Sequence, residues 1–316
     1  MRSAIEKLYA TDSPGSAVLE CAADGSARVL CETHAGIQDF AVGSGGNTLF
    51  VLPAVAGSAS FHRIRQWWRL GPFDNANDEG FDRVLPPEQQ EVNLQAVFKG
   101  QGEKDVRWEE VEESKLGLSG KMILAYAYGE IESEREKRVE FVLDTECGVK
   151  VWVNGVGVWT NHVHRCWSEF NRASYEPRPD RFEVRLRPGT NTVLVKYDKP
   201  VAGYPLGFLL RAYDLEMPVE VVNTADLSRK TFTAPLRHGR AVRLLEGNRL
   251  AVGGMSRICI LDAATGQEKW NKPFKADDWF WARAAYYEGV VYVGSLDKKV
   301  YALDAATGQE KWLAPV

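Results

Sequence analysis

The decapeptide LDAATGQEKW occurs twice, at residues 261–270 and 303–312, 42 positions apart. Repetition at a fixed period constrains a fold more than composition does, because each repeat is one supersecondary unit that buries its apolar face only against a neighbour. The phase holds outside the decapeptide: Glu246-Gly247 recurs as Glu288-Gly289, Leu250 as Tyr292 and Ile258 as Val300. Runs of β-type residues at 249–252, 258–261, 290–293 and 300–303 alternate with turn residues, which predicts strand, turn, strand in each unit. A period near forty with several short strands is the signature of a β-propeller blade. Two copies are visible, over 239–316, so the expectation is an incomplete propeller whose chain stops before a ring closes.

The decapeptide has a mechanical reading. Asp262 and Asp304 bond the backbone of the turn that follows, Gly266 and Gly308 supply a positive φ, and Trp270 and Trp312 are large rings suited to the gap between blades. These residues resemble the tryptophan-docking repeat of pyrroloquinoline-quinone-like propellers. For a complete ring, the resemblance implies a quinone and a calcium ion at the propeller axis beside a catalytic carboxylate. Two blades without adjacent cysteines do not meet that description, so no cofactor is expected in this chain. Pyrroloquinoline quinone and calcium enter only with a complete propeller.

Upstream, strand candidates lie at 138–143, 149–153, 182–186 and 192–197, joined by turn signals at Asn154-Gly155 and Pro188-Gly189. The phrase GVKVWVNG at 148–155 precedes Asp180, Leu186, Gly189, Asn191 and the LVK of 194–196. Together these resemble a galactose-binding-like jelly-roll module, and WWRLGPFDNANDEGFDRVLPPE at 67–88 resembles the entry to the same module. The expected architecture is all-β: a jelly-roll β-sandwich at 65–216, then two propeller blades at 239–316. Residues 1–64 hold β-like runs at 27–31 and 48–52 and read as an N-terminal segment, open to being the tail of a preceding domain. Residues 217–238 read as a linker, with 219–222 pairing onto one neighbour.

Composition narrows the function classes. Ten Trp and 28 Gly suit pleated sheets joined by turns, and a net charge of -4 without a basic patch exerts no pull on nucleic acid. No apolar run is long enough for a membrane span. The opening residues lack the apolar stretch of a secretory signal, so localisation stays open, while the family resemblance suggests a secreted or periplasmic protein. Five widely spaced cysteines, at 21, 31, 147, 166 and 259, make neither a disulfide scaffold nor a CxxC metal site. Phosphate loops, nucleophile elbows and CxxCH haem sites are absent from the sequence.

Candidate sites are those of recognition. Sugars combine apolar C–H faces with many hydroxyls, so a site for them needs flat rings beside amide, carboxylate or guanidinium groups. Trp152, Trp159, Asn161, Arg172 and Asp180 offer this set around one hairpin; equally, Trp152 suits a core and Asp180 a turn. Asp74, Asp78 and Asp82, with Asn75, Asn77 and Glu79, form an oxygen-rich loop able to hold calcium or to serve as a polar turn. His162, His164 and Cys166 alternate, so on a strand they would share one face, as metal ligands or as solvated loop residues. Acidic clusters at 109–113 and 130–136 raise a glycosidase pair, but the second is interleaved with Arg135, Lys137 and Arg138, as in a solvated face. No complete catalytic set emerges. The expected function is a non-catalytic carbohydrate-binding or adhesion-type module on a propeller scaffold within a larger protein. The alternatives are a fragment of a quinone-dependent dehydrogenase and a scaffold for protein partners at the open propeller flank.

Overall fold

The computed structural model of the chain describes residues 8–11, 16–22, 24, 26–33, 36–54, 61–118, 120–145, 147–162, 179–199 and 207–316. It is all-β, with helical geometry confined to three-residue 3-10 turns among the described residues. Two compact units divide it: residues 60–214, and residues 1–59 together with 215–316.

The 60–214 unit is an antiparallel β-sandwich. Its six-stranded sheet runs Glu109–Val111, Trp67–Asp74, Ile123–Ser133, Gly189–Lys199, Val149–Val153, Val156–Asn161. The four-stranded sheet runs Asp180–Leu186, Lys137–Thr145, Phe208–Asp214, Phe61–His62. Alternation builds the interior: Phe182, Val184 and Leu186 are buried, whereas Glu183 and Arg185 between them are exposed. They meet Val139, Phe141 and Leu143 of the same sheet and Trp67, Val149, Val151, Val195 and Tyr197 of the other in one core. Each such large side chain contributes about 1.5–3 kcal/mol on full burial.

The Ile123–Ser133 strand does not alternate, because its second face is covered too. Leu124, Tyr126 and Tyr128 pack with Leu70, Phe73 and Leu194 beneath Leu85, Val92, Phe98, Val106 and Trp108. One buried polar contact fastens this cover. Lys196, with no exposed side-chain surface, donates to Glu88 Oε1 at 2.9 Å and to the Arg83 carbonyl at 2.7 Å. The Tyr126 hydroxyl donates to the same Glu88 oxygen, which also accepts the Leu85 N–H at 3.3 Å. The PPE of 86–88 and the LVK of 194–196 thus meet in one network.

Among its described residues the other unit holds four sheets. The first runs Leu8–Thr11, Ala17–Cys21, Ala27–Glu32; the second Arg229–Ala234, Met217–Asn223, Thr48–Pro53, Ile37–Val42. The third runs Ala241–Leu245, Arg249–Gly253, Arg257–Asp262, Phe274–Lys275, and the fourth Ala285–Tyr287, Val290–Ser295, Lys299–Asp304, Glu310–Pro315. Between the first two, Val18, Leu30 and Cys31 meet Leu49, Val51 and Val222. Phe50, Leu52, Val219 and Val221 then face Val242, Leu250, Val252 and Cys259 of the third. Ala251, Ile258 and Ile260, on the other face of that sheet, pack with Val291, Val293 and Leu303 of the fourth. A sheet buried on both faces needs apolar residues at every position, which is why residues 258–261 read Ile-Cys-Ile-Leu.

The second sheet redraws the division expected from sequence. Thr48–Pro53, from the expected N-terminal segment, and Met217–Asn223, from the expected linker, are neighbours with Val221 opposite Phe50 and Val222 opposite Leu49. The sandwich is therefore inserted in the chain between two adjacent strands of one sheet. Residues 223–228 also hide a third copy of the blade turn. The Leu227 N–H reaches the Asn223 carbonyl at 2.8 Å, as Gly266 reaches Asp262 and Gly308 reaches Asp304, both at 2.8 Å. The Asn223 side chain accepts the Ala225 N–H at 2.9 Å, as Asp262 accepts that of Ala264 at 3.0 Å. Leu227 takes φ +60°, where Gly266 and Gly308 take +76° and +75°.

Aromatic rings lock successive sheets together. Trp270 is 2% exposed, and its Nε1 donates to the Ala305 carbonyl of the fourth sheet's turn at 3.1 Å. A Cβ on Gly308 would lie 2.6 Å from Trp270 Cδ2. Phe232 of the second sheet covers Gly266 in the same manner, its ring filling the space that a Cβ there would take.

Two measurements check these packing arguments. Gly308→Ala combines a left-handed backbone, costing about 1–2 kcal/mol, with collision against Trp270, so urea unfolding is expected to show at least that loss. Trp270→Ala should cost about 3–5 kcal/mol. Tyr126 and Tyr197 hold their phenolic protons far above the ordinary tyrosine range, chiefly through burial, with the Glu88 hydrogen bond adding for Tyr126. The unfolded chain loses these protons above about pH 10. Stability should therefore fall as pH rises past that value, with part of the tyrosinate absorbance developing only as the chain unfolds.

Candidate functional site

Asn154 and Gly155, at φ +51° and +76°, form the tight turn between Val149–Val153 and Val156–Asn161. A register shift between Val151 and Trp152 sets Val151 opposite Trp159 and Trp152 opposite Gly157. The two tryptophans consequently point to opposite faces of the sheet. Trp159 stacks on Phe182 at the sandwich interior, centroids 5.0 Å apart and planes 5° apart. Trp152 packs on the outer face with the cluster of Tyr128 and Leu194.

The other sequence candidates are dispersed. Asn161 donates to both oxygens of the buried Asp180, at 3.0 and 2.9 Å, and this pair ties edge strands of the two sheets. Arg172, His164 and Cys166 lie outside the described residues. Asp74 is exposed at a strand end. The carboxylate of Asp82 is held below its usual range by the hydrogen bond and charge of Lys150, 2.9 Å away. Asp78 instead faces His162 Nε2 at 3.2 Å. The acidic clusters are spent on ion pairs: Glu109 with Arg69 at 3.0 Å, Glu113 with Arg211 at 2.6 Å, and Glu136 with Arg185 at 2.9 Å.

Around Trp152 the sheet surface is concave. A cleft of about 500 Å³ is lined by Trp152 and Tyr128 together with Gln90, Glu91, Asn154 and Arg187. Glu88 reaches the same cleft, so the buried Lys196–Glu88–Tyr126 network borders its floor. Sequence reasoning missed Tyr128, Glu91 and Arg187. Tyr128 shares the outer face of its strand with Tyr126, two residues earlier, which is the one periodic signal that pointed here. A larger cleft of about 800 Å³ carries both charge signs, from Arg63, Arg65, Glu130 and Glu132, with Trp68 as its ring.

On the fourth sheet, apolar side chains stay open. Trp312 is 47% exposed and tilts against Tyr292 of its own sheet, ring centroids 5.9 Å apart. Leu313, Tyr287 and Leu296 are exposed on the same sheet or its turns.

Residues 217–315 match the family model described as "Outer membrane protein assembly factor BamB", a region of the pyrroloquinoline-quinone-like repeat type. The match begins at the Met217–Asn223 strand and so includes the stretch expected as a linker. No curated protein matches the chain. Among solved structures, a chain of the mitotic checkpoint complex is 12% identical at a TM-score of 0.32, with 95% of this chain and 58% of that chain covered. Sqt1 of Saccharomyces cerevisiae is 9% identical at 0.27, covering 98% and 70% of the two chains. Apo AztD from Citrobacter koseri is 14% identical, also at 0.27, covering 98% and 94%. Likeness at these scores carries no detail of site or function. What stands is an all-β chain with a propeller-type scaffold over its C-terminal third.

Proposed function

We propose that this chain is a recognition module, a propeller-type scaffold carrying a galactose-binding-like sandwich whose outer cleft binds carbohydrate. The observation that carries the reading is the cleft itself, where the rings of Trp152 and Tyr128 stand beside Gln90, Glu91 and Arg187. Ring faces take the C–H face of a sugar, and carboxylate, amide and guanidinium groups take its hydroxyls. A volume of about 500 Å³ falls within the range of small-molecule sites. The Lys196–Glu88 network supports rigidity, since it anchors the 86–91 wall to a central strand.

A second reading, a scaffold for protein partners, rests on Trp312. Its counterpart Trp270 is 2% exposed under the next sheet's turn, while Trp312 is 47% exposed. In the propellers that this repeat resembles, quinone and calcium belong to the axis of a complete ring. Among the described residues the apolar clusters join each sheet to the next and none joins the fourth to the first, so no step through a quinone is derived.

Glycan-array binding followed by calorimetry tests the first reading. At least one glycan class should bind, and Trp152→Ala should weaken it roughly tenfold or more with the fold intact by circular dichroism. Failure of every glycan, or an unchanged affinity in the variant, refutes the carbohydrate assignment. For the second reading, light scattering at rising concentration is expected to show association that Trp312→Ala removes; a monomer throughout in both proteins excludes it.

A further inference from the structure

Two segments that sequence reasoning treated separately meet in the sandwich. Asp78 lies in the Ala76–Asp78 turn after the Trp67–Asp74 strand, and His162 follows the Val156–Asn161 strand. Between them stands Asp198, in the central Gly189–Lys199 strand and wholly buried. His162 Nε2 is 3.2 Å from Asp78 Oδ2 and 3.3 Å from Asp198 Oδ2, and all three potential ligand atoms lie within 4.8 Å of one another.

We infer that Asp78, His162 and Asp198 form a mononuclear metal site for a zinc-class divalent cation. Each carboxylate is already oriented through its other oxygen. The Gly148 N–H donates to Asp198 Oδ1 at 2.8 Å, and Asn75 Nδ2 donates to Asp78 Oδ1 at 3.0 Å. Asn75 is itself buried and fixed, its Oδ1 accepting the Phe81 N–H at 3.0 Å. The imidazole plane is set by stacking on Phe81, 3.8 Å between centroids and 11° between planes. Outer partners of this kind hold metal ligands in position and are worth roughly 10–100-fold in affinity.

The space is equally particular. A Cβ at position 148 would lie 2.7 Å from His162 Cδ2 and 2.9 Å from Asp198 Oδ1, so a residue without one lets ring and carboxylate close in. Charge-assisted N–H···O bonds sit at about 2.7–2.9 Å. Ligand atoms around a tetrahedral ion with bonds of about 2.0–2.1 Å are about 3.4 Å apart. The observed 3.2 and 3.3 Å are nearer the edge of a coordination tetrahedron than a strong imidazolium–carboxylate contact.

The donor set narrows the ion to zinc and its first-row neighbours. One imidazole with two carboxylates suits zinc, whereas calcium takes six to eight oxygens and magnesium mostly water. A divalent charge also offsets the repulsion between two converging carboxylates. His162 and Asp78 remain 29% and 35% exposed at their side chains, so an ion can reach the site from solvent. The bound ion would tie the 76–78 turn and a sheet-edge residue to the central strand, independently of any sugar in the outer cleft.

The test uses the full chain, stripped with a chelator and titrated with Zn²⁺ by calorimetry, with metal content and melting temperature as further readouts. One equivalent per chain and a raised melting temperature are expected. His162→Gln and Asp78→Asn, both at partly exposed positions, should each weaken binding by at least about tenfold and abolish the thermal shift. The assignment is overturned if the parent chain takes up no stoichiometric zinc, leaving the His162 ring as a hydrogen-bonded bridge between two carboxylates. It is likewise overturned if folded forms of both variants bind zinc as tightly as the parent, or if calcium binds and zinc does not.

Discussion

The ladder between Thr48–Pro53 and Met217–Asn223 decides the topology of the whole chain. It closes a loop that contains the entire sandwich, and the sandwich meets the requirement through its own terminal strands. Phe61–His62 pairs with Phe208–Asp214, Ala212 opposite His62 and Tyr213 opposite Phe61, so the unit starts and finishes on neighbouring strands of one sheet. An insertion with adjacent ends asks the host sheet for no more room than a long hairpin. The entropy of closing such a loop grows only with the logarithm of its length, so the insertion costs little more than a much shorter connection. A folded insert lowers that cost further, since its ends are already together.

The sequence was legible where the physics is local. Alternation marked Asp180–Leu186, and the Asn-Gly turn marked the Trp152 hairpin. The blade turn was visible only where its letters were kept. At residues 223–228 Asn replaces Asp as amide acceptor, Leu227 tolerates the left-handed backbone and Phe232 fills the place of tryptophan. The turn chemistry survives while the string does not, which is why the repeat looked two units long. The pairing across the insertion has no local signal, because Val219–Val222 shows that it wants a partner and not which one. A bulge undid the tryptophan platform, since a shift of one residue at Trp152 separates it from Trp159 by the thickness of the sheet. Asp198 went unnoticed for another reason. In VKYDK it sits in the buried stretch of a central strand, and only the fold brings it beside His162.

The two polar centres of the sandwich divide its labour. Lys196, Glu88 and Tyr126 are enclosed, and each buried group is matched by the others, so their role is to fix the covering segment against the sheet. A buried ion pair of this sort contributes little net stability over an apolar substitute, but breaking it leaves an uncompensated charge and costs about 3–5 kcal/mol. The consequence is conformational uniqueness for the wall that carries Gln90 and Glu91. The Asp78 and His162 side chains stand at the surface, with only Asp198 enclosed, an arrangement suited to exchange with solvent.

The stack of four sheets is directional. Phe232 covers the turn glycine of the third sheet and Trp270 that of the fourth, so the second-to-third and third-to-fourth junctions each join an aromatic flank to a glycine flank. A two-fold axis would have to seat both contacts at once, aromatic flank on glycine flank and the reverse. Assembly through such flanks is heterologous: it closes into a ring when the rotation per unit divides the circle, and otherwise runs on as a filament. Trp312, 47% exposed, holds the place in the repeat that Trp270 holds in the third sheet, where the ring lies over a turn with a bare Cα. The polarity of one tryptophan over one glycine thereby favours head-to-tail growth over a self-complementary contact.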